Sequence, residues 1–269
     1  MSLGISGPPV RHTRIPRDEC DEDDDDVFSA DNNAPNDQVY QDAEQALHVL
    51  PLMGFFPIFW MLYDQQGSVW TLQATRMNLH GFEPEQLQFL NPLEIMIFIP
   101  LFDLKIYPWL EQRDFNIQPV RRMEYGMLLT AISFAMSTIL ELHIQSQPSM
   151  NVSVVWQVPQ ITVLTVAEIL LNVTGLEFAY SQAPPNMQAL ILALYLFMTA
   201  IGDGFGALLY GSVFSYLSSA TAMFVCAVCM IINMVFFAMV ARKWHPYNHV
   251  PDTTEGLELG PVHNIEHQH

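Results

Sequence analysis

Apolar residues fall along this chain in long runs separated by short polar breaks. Six runs stand out, at roughly 49–74, 86–110, 119–141, 154–179, 187–212 and 217–241. A bilayer span needs about 20 consecutive, mostly apolar residues, so each run predicts a membrane-crossing helix. The breaks carry the chemistry of turns: Gly81-Phe82-Glu83-Pro84, the polar stretch 111–119, residues 145–151 with Pro148, and the tight Ala183-Pro184-Pro185 link. The expected fold is an all-α membrane protein with six transmembrane helices. Residues 1–45 read as an acidic, disordered tail or linker, 46–241 as the helical bundle and 242–269 as a second tail.

Composition sharpens this division. Half of the residues are apolar, and the net charge is −18. Acid is densest at the start, where the first 48 residues hold twelve acids against Arg11, Arg14 and Arg17. The run Glu19–Asp26 repels itself and stays solvated. Three cysteines, Cys20, Cys226 and Cys229, are too few for a disulfide framework. Cys226 and Cys229 sit in an apolar run without a second ligand pair, so no metal is expected. The tail histidines His245, His249, His263, His267 and His269 are too dispersed to change that. No nucleic-acid partner is expected. Met1–Val10 lacks a charged segment leading into an apolar core, so the first span is expected to act as its own insertion signal.

Charge at the span ends predicts orientation. Lys105, Arg113, Arg121 and Arg122 flank the loop after the second run, and Arg242 and Lys243 follow the sixth; only Arg76 falls on the other side. Cytoplasmic loops collect Lys and Arg, which puts both termini in the cytoplasm. Asn151-Val152-Ser153, a glycosylation sequon, then falls in an outer loop. Asn172-Val173-Thr174 has the same pattern but lies inside a span. The cluster Gly202-Asp203-Gly204-Phe205-Gly206 predicts close helix approach rather than phosphate binding.

Polar residues within the spans carry the candidate chemistry. Glu168 lies deep in the fourth run, where a charge costs on the order of 2.5–3.5 kcal/mol. A residue that costly points to a partner, a cavity or a transported solute, and a carboxylate there would attract a cation. In the first run Trp60 and Asp64 are four apart and share a helix face; Asp64 with Gln65 forms a polar patch that is either near the solute or a structural link between helices. In the second run Asn91 and Glu94 share a face, and Pro92 disfavours regular helix at Asn91. Asp103 and Lys105 lie toward the cytoplasmic end. No serine–histidine–aspartate set, zinc spacing or paired carboxylates argue for an enzyme.

Four blocks resemble one family. FWMLYDQQGSVWTLQA (59–74), NPLEIMIFIPLFDLKIYP (91–108), VRRMEYGM (120–127) and WQVPQ…AEI…GLEFAYSQAPPNM (156–187) are similar, in order and spacing, to the C-terminal half of the proton-coupled oligopeptide transporters. The resemblance covers about 45–241 and implies the second six-helix bundle of a major facilitator fold. It implies symport of di- and tripeptides driven by protons, with the proton as coupling ion and no cofactor. It also implies roles: Glu168 binds the peptide's α-amino group, Asn91 helps hold that end, and Trp60 lines a side-chain pocket. Tyr195 aligns with a position that is typically tryptophan. His48 aligns with a basic residue that in animal members pairs with the aspartate here numbered Asp103, so the two are a candidate gate.

The family's first bundle carries an ExxER motif and the bases that hold the peptide carboxylate, and neither is found here. The expectation is therefore a fragment that needs the N-terminal six-helix bundle as partner, besides lipid, protons and peptides. Two alternatives stand beside it: a non-transporting scaffold or regulator bound to a full-length carrier, and a peptide/histidine carrier of endolysosomal membranes. The DQQGS block favours the plasma membrane over the latter.

Overall fold

Proline and glycine cut the first apolar run into pieces. In the computed structural model, which describes residues 40, 42–44, 46–113, 118–147 and 151–244, this run forms α1 (Leu50–Met53), α2 (Phe56–Tyr63) and α3 (Val69–Ala74), with a 3-10 turn over Asp64–Gln66. Pro51 and Pro57 each open a helical piece, where a missing N–H leaves no bond unmade. The two parts, Asp42–Met53 and Phe56–Ala74, meet at 49°. Asn233 Nδ2 donates to the Phe55 carbonyl at 3.1 Å and fastens the bend to the last helix.

The remaining elements are also helical. A 3-10 turn, Pro84–Phe89, leads into α4 (Leu90–Leu101), which passes through a π-turn, Phe102–Ile106, into α5 (Tyr107–Glu111). Next come α6 (Pro119–Ser146) and α7 (Val158–Glu168), a π-turn Ile169–Val173, α8 (Thr174–Gln182), α9 (Gln188–Ser212) and α10 (Ser219–Lys243). The chain divides into two units, Met1–Gln41 and Asp42–His269, and these helices belong to the second. The acidic run Glu19–Asp26, Cys20 and the tail histidines lie outside the described residues.

Among the described residues, four helical stretches are long and apolar enough to cross a membrane: Pro119–Ser146, Val154–Gln182, Pro185–Ser212 and Ser219–Lys243. The bent pair Asp42–Met53 and Phe56–Ala74 makes a fifth if counted as one span. The run from Leu90 to Glu111 is helical throughout, but Glu94, Asp103 and Lys105 interrupt its apolar character. The ends of the long helices extend a few residues beyond the apolar runs, because polar residues such as Glu141 and Gln145 continue the helix while bonding inward.

The core is built around α6, which packs along α7 and α10, while α9 lies against α2. Phe59, Leu62, Trp70, Met123, Phe134, Leu164, Met223 and Phe237 are fully buried there. Polar residues join them, including Gln73, Ser133, Ser137, Gln157, Gln160 and Thr165. Large apolar residues instead face outward on α10, such as Phe224, Ile231, Val235 and Phe236. This reversal of the soluble-protein pattern suits a lipid surrounding.

Close helix contact depends on particular glycines. A Cβ on Gly202 would run into the Pro57 carbonyl oxygen and meet Trp60 Cβ at 2.8 Å, so glycine lets α9 lie directly on α2. Gly206 makes ordinary contacts, and Gly204 faces open space. At the loop end, Asn78 and Ser153 form an isolated bridge: Asn78 N donates to Val152 O at 2.8 Å and Val154 N to Asn78 O at 3.0 Å.

Candidate functional site

Glu168 is the last residue of α7, directly before the π-turn, and is 8% exposed. A π-turn widens the helix locally and is common where a side chain serves a function. Facing it is Asn91, in the first turn of α4 and 5% exposed. Pro92 falls in that same turn, so the irregularity predicted there becomes a change from 3-10 to α geometry at Leu90. Asn91 Nδ2 donates to Glu168 Oε2 and to Thr165 Oγ1, both at 3.1 Å. The Tyr63 hydroxyl donates to Asn91 Oδ1 at 3.2 Å. Tyr63 thus joins the Glu168 group through Asn91, and Asn172 lies four residues after Glu168 on the same helix face.

An aromatic wall borders this group. Trp60, half-buried on α2, meets Tyr63 edge-on with ring centres 5.4 Å apart. Tyr195, from α9, is buried and meets Phe56 edge-on at 5.5 Å. Its hydroxyl donates to Asn172 Oδ1 and, at 3.2 Å, to the Asn172 carbonyl. Asn91 thus meets Glu168 directly, while Trp60 borders Tyr63 and Tyr195 holds Asn172, so the four residues spread over 136 positions of sequence fall in one neighbourhood.

A profile described as "PTR2: POT family" matches residues 26–223. The chain belongs to the POT family. Among its relatives is "Peptide transporter PTR2" of Saccharomyces cerevisiae, 29% identical over 185 residues, covering 65% of this chain and 31% of that protein. "Solute carrier family 15 member 2" of Homo sapiens is 45% identical over 111 residues, covering 40% of this chain and 15% of the relative. The fold matches a crystal structure of an auto-inhibited POT family peptide transporter with a TM-score of 0.71 and 27% identity. That match covers 78% of this chain and 43% of the other. The chain therefore spans about a third of the first relative and under half of the solved structure.

Other residues singled out in this POT family member fall in different places. Asp64 is exposed in the 3-10 turn that follows α2. Gln65 is buried and turns back, donating to Met61 O at 2.8 Å and accepting from Ser68 Oγ at 3.1 Å. The His48 ring lies 5.5 Å from that of Trp244, whose Nε1 donates to the His48 carbonyl at 2.9 Å. Asp103 is exposed on the π-turn after α4. Asn151 is exposed in the loop that the Asn78–Ser153 bridge fastens down. Among the described residues no group of three or more metal-binding side chains converges.

Three members of the Glu168 group were not singled out as site residues from sequence: Tyr63, Thr165 and Asn172. Spacing offered a signal for each. Thr165 and Asn172 lie three before and four after Glu168, hence on its helix face. Tyr63 lies three after Trp60.

Proposed function

We propose that this chain forms the C-terminal six-helix bundle of a proton-coupled symporter of di- and tripeptides. In this reading α1–α3 make the first span and α4–α5 the second, completing six with the four apolar helices. An N-terminal six-helix bundle supplies the other half of the site, and the proton is the coupling ion.

The observation that carries the reading is the surroundings of Glu168. It is buried, and the side chain that donates to it is the neutral carboxamide of Asn91. The described ion pairs, Arg76–Glu141 and Arg121–Glu124, lie elsewhere. A buried carboxylate is costly without a cation or a full set of donors. The α-ammonium of a peptide supplies that cation, and a proton competes with it for the same oxygens. Trp60 then borders the first side chain of the peptide. The basic residues Lys105, Arg113, Arg121, Arg122, Arg242 and Lys243 support cytoplasmic termini, and the family resemblance favours the plasma membrane.

Calorimetric titration of the chain in nanodiscs tests this reading. Alanyl-alanine is expected to bind, N-acetyl-alanyl-alanine to bind far more weakly, and Glu168→Gln to remove the difference. Equal binding of both peptides, or their discrimination surviving in Glu168→Gln, would rule out an ammonium site at Glu168.

A further inference from the structure

Two carboxamides flank Glu168, and a tyrosine from a different helix holds each of them. On one side Tyr63 donates to Asn91 Oδ1, which leaves Asn91 Nδ2 to donate to Glu168 Oε2. On the other side the Tyr195 hydroxyl donates to Asn172 Oδ1 and to the Asn172 carbonyl. An amide has one acceptor end and one donor end. With Oδ1 taken by Tyr195, the NH2 end of Asn172 is the end left to face Glu168, four residues before it on the same helix face. The opposite flip would set a carbonyl oxygen against a carboxylate.

The two arrangements have the same logic and come from unrelated parts of the chain. Tyr63 and Asn91 sit on α2 and α4, whereas Tyr195 sits on α9 and Asn172 in the π-turn. Both tyrosines enter the site beside aromatic neighbours, Trp60 and Phe56, which restrict their rings. Asn172 lies four residues after Glu168 and so shares its helix face.

We infer that Asn172 is a second carboxamide of the Glu168 site and that Tyr195 is a positioning residue acting through it. Rather than serving only as a wall for a peptide side chain, the Tyr195 hydroxyl fixes which end of Asn172 meets the carboxyl. In the empty site the two carboxamides supply the N–H donors that an incoming primary ammonium replaces. The last point rests on the proposed reading of Glu168; the Tyr195–Asn172–Glu168 linkage does not.

A double-mutant cycle read by infrared spectroscopy tests the linkage without any peptide. The Glu168 carboxyl signal in the nanodisc-embedded chain is assigned by isotope-labelled glutamate and the Glu168→Gln difference. Tyr195→Phe keeps the ring and removes only the hydroxyl; it is expected to shift that signal. In an Asn172→Leu background the same change is expected to leave it still. If Asn172→Leu does not fold, judged by melting, Asn172→Ser takes its place in the cycle. An unchanged signal in Tyr195→Phe, or an equal shift with and without Asn172, overturns the inference. Failure of alanyl-alanine to bind would instead count against the transport reading and leave this result standing.

Discussion

The Arg76 guanidinium grips both oxygens of Glu141, Nη1 to Oε1 at 2.6 Å and Nη2 to Oε2 at 2.8 Å. Glu141 is fully buried, and Gln73 and Gln145 also donate to it, at 3.1 and 3.0 Å. Gln73 Oε1 in turn accepts from Gln157 and Gln160. One network therefore ties α3, α6 and α7 together away from the Glu168 site.

Removing one partner of this pair leaves a buried charge with fewer donors. Arg76→Met is expected to destabilise the chain by about 1.5–3 kcal/mol, the range for hydrogen bonds to charged groups. Arg76 is partly exposed, which keeps the loss below that of a fully buried pair. The double variant Arg76→Met/Glu141→Leu should recover much of it, since apolar replacement of both partners is often neutral. Thermal melting in nanodiscs measures both; a double variant weaker than the single would contradict the account.

Gly202 and Gly204 are two residues apart and should respond oppositely to alanine. Gly202→Ala drives a methyl group into the Pro57 carbonyl and Trp60, an overpacking expected to cost about 1–3 kcal/mol. Gly204→Ala meets nothing and should stay within about 0.5 kcal/mol of the parent. Equal melting temperatures for the two variants would show that α9 and α2 are not in close contact.

Asn91 is the residue through which α4 holds both Thr165 and Glu168. Asn91→Leu removes that donor and leaves the Tyr63 hydroxyl without its acceptor on Asn91. Under the proposed function, alanyl-alanine affinity should fall about tenfold, equivalent to about 1.4 kcal/mol. Calorimetry with the N-acetylated peptide is the control, and it should change little.

The two sequons separate cleanly in the fold. Asn151 is exposed, whereas Asn172 is part-buried with its side chain held by Tyr195. Expression in eukaryotic cells should give a product that shifts on deglycosylation, and Asn151→Gln should abolish the shift. A shift that persists in Asn151→Gln and vanishes in Asn172→Gln would reverse the assignment.

Much of the helical layout was legible in sequence because lipid leaves the chain little choice. Backbone groups in a bilayer must bond within a helix, so long apolar runs convert directly into helices; the runs at 119–141, 154–179, 187–212 and 217–241 all did. The break in the first run is local as well, since Pro51 and Pro57 lack the N–H that a continuous helix would use. Glu168 stood out by the cost of its charge alone.

Tertiary structure decided which groups meet. Arg76 reads in sequence as a lone base, and its partner lies 65 residues away. The family resemblance aligns Tyr195 with a position that is typically tryptophan, yet its hydroxyl donates to Asn172, which sequence presents only as an unused sequon. Hydrogen bonds between helices depend on crossing angle and rotation, which no periodicity within one helix records. The sequence by itself determined where the helices run and marked Glu168 as a carboxylate deep within an apolar run; packing determined how tyrosine and asparagine side chains from separate helices meet around it.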